Sequence, residues 1–360
     1  MTFVRSMVSN RILWDDPDIQ EEEIQAAVKS LKNSVGSKGP NIKIVEDEFA
    51  KKLNVKHAIL TSNGTTALVT SLSCLIEHNS KIKTIGVPSF TFIASANSAK
   101  LFNKKIQLLD CDKNTWNVEA KHITSDVDLL VSVDVGGLPC DYDDLKKLNI
   151  PVVADSAESL GSTYKNEEIG SQVDIHCFSF QRSKIITCGE GGLIVTNNDE
   201  YADYCRSFIN HGYSKNKQPY EYLHDQFGLN FRINDVEAAI LGVQLKKLRK
   251  YVERRNEVAN LYKNGLDKEK FEFQKIPEFA RTNYFFFGAL LDKNKRQDLA
   301  QQFLKNDIDI KYWTAVGDQP GFINKNLPNS KYISDSIILL PIHNKITNQE
   351  VEKVITIANK

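Results

Sequence analysis

Three short stretches hold residues whose types and order could do chemistry. In TSNGTTAL at 61–68, a strand-like run stops at Asn63 and Gly64-Thr65-Thr66 opens a helix-like run. The first N–H groups of a helix have no partner inside it, and the helix dipole adds positive potential there, so such a start can hold an anion. Gly64 would let a phosphate approach the backbone closely. The same residues also suit a plain N-cap by Asn63 or Thr65. In PVVADSAES at 151–159, an apolar strand ends in Asp155, with Glu158 three residues on. Ligands of α/β folds bind at the carboxyl ends of parallel strands, although a capping Asp in a strand–helix turn looks alike. In HCFSFQRSKIITCGEGGLIVTN at 176–197, a core-like strand delivers Ser179 and then Lys184, among Ile185, Ile186 and Cys188, ahead of a Gly-rich turn. A lysine there is costly to keep charged unless it is paired. An uncharged amine is what imine chemistry needs. A lysine snorkelling out of a loop is the alternative.

An anion cup, a carboxylate and a buried amine are the contacts that pyridoxal phosphate requires. The cup anchors the phosphate, Asp155 partners the pyridinium nitrogen, and the Lys184 amine joins the aldehyde as an imine. Phe92 or Phe90, in PSFTFIAS at 88–95, could stack on the ring. Neither GxxxxGK[ST] nor GxGxxG occurs, which argues against a P-loop and against a Rossmann dehydrogenase.

These residues need a scaffold, and the first half of the chain supplies alternating helix-like and strand-like segments. Residues 18–33 predict an amphipathic helix with Ile19, Ile24, Val28 and Leu31 at helical spacing, and 41–53 predict a second helix. The runs 57–62, 84–89, 105–111, 128–135, 151–155, 174–180 and 192–197 have strand length, with helical segments after Asn63 and at 92–101. Most of these strands are apolar throughout, the pattern of a sheet covered by helices on both faces. An α/β domain with a mostly parallel sheet follows. Residues 233–264 predict a long helix whose LKKLRKYVERR charges form a solvated face. After it come YFFFGALL (284–291), a helix near 296–305, IDIKYW (308–313) and a terminal helix from about 347, which suggest a smaller α+β domain with its seam in the long helix. The expected division is 1–245 and 246–360.

Composition narrows the function class. The chain has 360 residues, with 46 Lys plus Arg balanced by 46 Asp plus Glu. The absence of a basic excess argues against a nucleic-acid partner. A hydrophobic fraction of 41% argues against disorder. No apolar leader opens the chain within residues 1–16 and no run nears membrane-spanning length, so a cytoplasmic protein with no membrane partner is expected. Cys74, Cys111, Cys140, Cys177, Cys188 and Cys205 form no CxxC pair, and neither a metal site nor a disulfide framework is expected.

The chain resembles the DegT/DnrJ/EryC1/StrS family of pyridoxal-phosphate aminotransferases acting on nucleotide-linked keto-sugars. The resemblance rests on six ordered motifs: GPNIKIVEDEFAKKLNVKHAILTSNGTTAL, PSFTFIASANS, ADSAES, FSFQRSKIITCGEGG, FINHGY (208–213) and GLNFRINDVEAAILGVQLKKL (228–248). It implies fold type I of these aminotransferases, with a large domain built on a mostly parallel mixed sheet and a smaller α+β C-terminal domain. It also implies site roles: Gly64 and Thr65 at the phosphate, Phe92 over the ring, Asp155 on the ring nitrogen, Glu158 near the cofactor hydroxyl, Ser179 at the phosphate and Lys184 as the imine lysine. Asn230 is implied to reach the phosphate bound to a neighbouring subunit, which makes the protein a homodimer with shared sites. The near-zero net charge leaves little repulsion between two such subunits. The expected reaction moves an amino group from an amino acid, glutamate by resemblance, to a nucleotide-linked keto-sugar. A 4-keto-6-deoxy hexose is the default substrate, in surface-glycan (lipopolysaccharide) or amino-sugar synthesis. A cyclitol or other keto-substrate, or a sugar dehydratase, is the alternative. Dehydratase relatives carry His in place of the lysine, which Lys184 opposes. Where many members have a Tyr-x-Pro-x-His segment this chain has IKYWTAVGDQPGF, so the sugar's identity is not implied.

Overall fold

The computed structural model describes residues 11–216, 218, 220–322 and 326–360. Most of the 1–16 stretch examined for a leader therefore lies outside the described residues. The strands are β1 (His57–Thr61), β2 (Thr84–Pro88), β3 (Lys105–Leu109), β4 (Leu129–Val133), β5 (Val152–Asp155), β6 (Thr163–Tyr164), β7 (Glu167–Glu168), β8 (Ile175–Ser179), β9 (Gly192–Thr196), β10 (Glu272–Phe273), β11 (Ala280–Arg281), β12 (Phe287–Leu290) and β13 (Ile337–Leu340). Seven of them form one sheet in the order β1-β9-β8-β5-β4-β2-β3. It is parallel from β3 to β8, while β9 and β1 run antiparallel at one edge. The mostly parallel mixed sheet expected from the sequence is thus present.

Successive side chains of a strand point to opposite faces, and both faces here are dry. Leu129, Val131 and Val133 join one core with Val153, Ile175 and Ile194. Leu130 joins the other with Val152, Ala154, Phe178 and Leu193. That is why these strands are apolar throughout. The covering helices are α1 (Glu21–Asn33), α2 (Pro40–Lys52), α3 (Gly64–His78), α4 (Ile93–Lys100), α5 (Tyr142–Lys146), α6 (Asp199–Phe208) and the first part of α7 (Asp235–Gly265). A third core gathers Val258, Tyr262, Phe287, Phe303, Ile338 and Val354. It is enclosed by the sheet β10-β12-β13 with α7, α8 (Lys293–Lys305) and α10 (Asn348–Asn359), while α9 (Pro328–Ser336) sends Ile333 into the first core. Ile12 belongs to the third core too, tied by backbone bonds to Asp307 and Asp309.

Three expectations are corrected. The stripe Ile19, Ile24, Val28 and Leu31 faces outward, 41%, 49%, 38% and 57% exposed, while Glu23 and Ser30 of α1 are buried. Helix α1 docks on α7 through polar bonds: Glu23 accepts from Gln244 Nε2 at 2.7 Å and from Lys247 Nζ at 2.8 Å, and Ser30 Oγ donates to Asp235 at 2.8 Å. The 308–313 run forms no strand. It is an extended segment with single bridges from Ile308 to Ile12 and from Lys311 to Leu339 of β13; β13, which sequence periodicity did not single out, pairs with β12. The 284–291 run is strand only over 287–290, since Tyr284 has φ 50° and the buried Asn283 turns the chain there, its Oδ1 accepting from Phe285 N–H.

Candidate active site

The site lies where the parallel strands end. Beyond β1, Asn63 caps α3. Its Oδ1 accepts from Thr66 N–H at 2.9 Å, and Thr66 Oγ1 accepts from Asn63 N–H at 3.1 Å. The capping reading is therefore correct for Asn63 and not for Thr65. It does not exclude the anion reading, because the Gly64 and Thr65 N–H groups keep no protein acceptor among the described residues. Gly64 sits against the end of β8: a Cβ there would stand 2.8 Å from Ser179 Cβ and 3.1 Å from Ser179 Oγ. The two residues, 115 positions apart, thus form one cup.

Asp155 closes β5 and is 6% exposed. Its Oδ2 accepts from Ser95 Oγ at 2.6 Å and its Oδ1 from Ala157 N–H at 3.2 Å. Burial pushes its pKa up, against the pull of Ser95 and Lys184. Glu158 is 7% exposed. Its Oε2 accepts from Gly136 N–H at 2.9 Å, and its Oε1 lies 3.8 Å from Lys184 Nζ. Burial lifts its pKa to about 7, with Lys184 and the Gly136 N–H holding it down and Asp155 and Asp134 adding to the rise. The Lys184 side chain is 15% exposed, and its Nζ stands 4.3 Å from the centroid of the Phe285 ring, a cation–π distance. Lys184 therefore does not snorkel away; it faces the two carboxylates.

Of the two candidate stacking rings, Phe90 is core, packed edge-on against Trp116 and Trp313. Phe92 is 60% exposed at the start of α4. Asn230 stands apart from this cluster. It is exposed and bridged through its backbone to Asn210, although the next residue, Phe231, accepts from Ser62 N–H beside the cup at 2.8 Å. Sequence reasoning missed Ser95, Gly136 and Phe285. Ser95 lies inside the aromatic motif PSFTFIAS, and a hydroxyl facing strand ends was its only signal. Gly136 and Phe285 reach the site by packing alone. The missed residue Trp14 meets Phe285 edge-on at 6.4 Å. Next to it, Asp15 pairs with Arg182 at 2.6 Å, so residues 14–15 lie along the Lys184 loop.

The residues present fit pyridoxal phosphate: a cradle that a Cβ would fill, two N–H groups at a helix start, and a buried carboxylate bonded only to neutral donors. This sheet with that edge defines the class, an α/β aminotransferase of fold type I that works with pyridoxal 5′-phosphate. The chain belongs to the DegT/DnrJ/EryC1/StrS aminotransferase family, whose profile matches residues 17–358. It is 27% identical over 363 residues to a UDP-4-amino-4,6-dideoxy-N-acetyl-beta-L-altrosamine transaminase of Campylobacter jejuni, covering 95% of both chains. It is 35% identical over 241 residues to GDP-perosamine synthase of Escherichia coli O157:H7, covering 65% of each. Its fold superposes with a TM-score of 0.90 on PseC of Helicobacter pylori, an aminotransferase of pseudoaminic acid biosynthesis, at 23% identity over 97% of this chain and 98% of that one.

Proposed function

We propose that this protein transfers an amino group from an amino acid, by default glutamate, to a nucleotide-linked keto-sugar, with a 4-keto-6-deoxy hexose as the default, in bacterial surface-glycan or amino-sugar synthesis. The observation that carries this reading is the Lys184 amine at 3.8 Å from Glu158, with the buried Asp155 within reach of its charge. The two curated relatives act on sugars carried by UDP and GDP. The intact lysine also favours transfer over dehydration.

Pyridoxal phosphate, when bound, supplies a carbonyl for the donor nitrogen and a ring that takes up the electrons left as the α-proton departs. We assign the rest to the chain. Gly64, Thr65 and Ser179 bind the phosphate. Phe92 would cover the ring. The Asp155 carboxylate accepts hydrogen bonds only from the neutral Ser95 and Ala157 groups, and it would pair with a protonated ring nitrogen and hold that proton in place. Glu158 would bind the ring hydroxyl. Lys184 would hold the aldehyde through Nζ and would serve as base and acid for the substrate proton.

We take the protein as a homodimer with Asn230 of each subunit reaching the phosphate of the other. The exposed apolar residues Ile24, Val28, Leu31, Val35 and Phe227 support a partner surface. Residues 1–245 and 246–360 are the two domains we assign, the second with its own core, with α7 running unbroken through the boundary. The six buried free cysteines support a cytoplasmic setting.

Lys184→Ala is expected to abolish both the visible absorbance of the cofactor-loaded protein and turnover, at least about 10³-fold. The assay is mass spectrometry of products from a panel of keto-sugar nucleotides with glutamate. Retained absorbance and turnover in the variant would sink the assignment. Water loss without nitrogen gain in the wild type would replace it with the dehydratase reading.

A further inference from the structure

Asp134, one residue beyond β4, has a fully buried side chain that none of the assigned steps uses. Its carboxylate gathers donors from four residues. Tyr142 Oη donates at 2.6 and 2.7 Å to its two oxygens, Ser159 Oγ at 2.6 Å, Ser156 Oγ at 2.9 Å and Cys140 N–H at 3.0 Å. Ser156 Oγ also lies 2.9 Å from His176 Nδ1. Burial holds the His176 pKa near 3, so the ring is neutral. With the Ser156 proton directed to Asp134, the remaining bond requires the His176 Nδ1–H to donate to Ser156, and Nε2 has no hydrogen-bond partner among the described residues. A buried carboxylate is weak evidence for stability, because its desolvation offsets what its partners contribute. Satisfied polar networks of this kind fix geometry instead.

What this network fixes is the carboxylate turn. Ser156 and Ser159 directly follow Asp155 and Glu158 in the chain. Asp134 N–H donates to the Asp155 carbonyl at 3.2 Å, and the Asp134 carbonyl accepts from Gly137 N–H at 3.1 Å. That second bond shapes the turn whose Gly136 N–H holds Glu158. The Asp134 side chain thus ties the turn after β5, which carries both carboxylates, to the segment after β4, and its backbone holds the same two ends together.

We propose that Asp134 is the positioning residue for Asp155 and Glu158, setting the direction in which both carboxylates meet the cofactor. The inference rests on the assignment of those two carboxylates to pyridoxal phosphate. Asp134→Asn puts an amide among groups that all donate, and Ser159→Ala removes one leg of the network with no new group. Apo protein of each variant is titrated with pyridoxal phosphate, and the pH midpoint of visible absorbance is read on the loaded protein beside its thermal midpoint. Asp134→Asn is expected to weaken cofactor binding about tenfold or more, the order of one charge-assisted hydrogen bond, and to displace the pH midpoint. Ser159→Ala shifts both the same way by less. If Asp134→Asn fails to fold, Ser159→Ala and Tyr142→Phe carry the test. Variants that lose thermal stability alone, with affinity and pH midpoint unmoved, overturn the proposal. Asp155→Asn is the control: a moved midpoint there beside unmoved Asp134 variants defeats the positioning role alone. An unmoved midpoint in Asp155→Asn defeats the underlying assignment and the positioning role with it.

Discussion

The inner wall of the site and its outer rim are built on opposite terms. On the inner wall, Asp155, Glu158 and Lys184 are buried and each finds its partners within one chain, down to Ser95, Gly136 and Phe285. On the rim, Phe92 and Asn230 are exposed, as are the apolar stripe of α1 and Phe227. The wall is finished by folding, whereas the rim presents groups whose proposed use depends on something that arrives later, a cofactor ring or a second subunit. Substitutions in the wall should therefore disturb chemistry and pH behaviour in the single chain, and those on the rim should disturb retention and association.

After the loss expected at Lys184, the largest effect is expected at Asp155. Asp155→Asn should lower kcat by roughly 10²–10³-fold, the scale of one lost electrostatic stabiliser, with thermal stability kept because a costly buried carboxylate is gone. A variant that unfolds instead would make the wall structural. Glu158 comes next. Its pKa rises from 4.5 in the unfolded chain to about 7 in the fold, so its proton stabilises the fold fully below pH 4.5, and that contribution is lost as pH rises through 7. Apo Glu158→Gln should therefore gain on the wild type between those values, by roughly 3 kcal/mol at most. Melting curves of the two proteins at pH 5 and pH 8 check the sign; parallel curves refute it. On the rim, Leu31→Lys with Val28→Lys should weaken subunit association by about tenfold or more, in line with the loss of a buried apolar contact, while α1 stays folded on its polar side. Sedimentation across a concentration series tests this, and an unchanged profile would free the α1 face from any part in the dimer. The smallest effect belongs to Phe92→Ala, which should weaken cofactor binding by about fivefold, near 1 kcal/mol of stacking, with kcat hardly altered.

The same division explains what was legible beforehand. The positions of Asp155, Ser179 and Lys184 at and beyond strand ends could be read because their signals are local: an apolar strand, a polar residue at its end, and a lysine set among isoleucines. The sheet could be read because strands buried on both faces lose their alternation. The orientation of α1 could not, since it is decided by what α7 offers it. Gln244, Lys247 and Asp235 make Glu23 and Ser30 the inward residues against the apolar moment of the helix. Ser95, Gly136 and Phe285 were missed because their roles arise from packing between segments far apart in sequence. The 308–313 run has strand-like composition, but it reaches its neighbours only through single bridges, to Ile12 and to Leu339 of β13. Short pieces such as α5 and β6 carry too few residues for any period to show.

Helix α7 carries a consequence of its own. Its 31 residues span about 46 Å, and it packs along the large sheet's helices before entering the third core. In its second half, the buried Arg255 donates to the carbonyls of Tyr284, Phe285 and Ile342. A single beam held at both ends stiffens the link between the sheet layer and the third core. The expected consequence is that access for a bulky substrate runs over the rim rather than through jaw closure, so that turnover is insensitive to cross-links between the two.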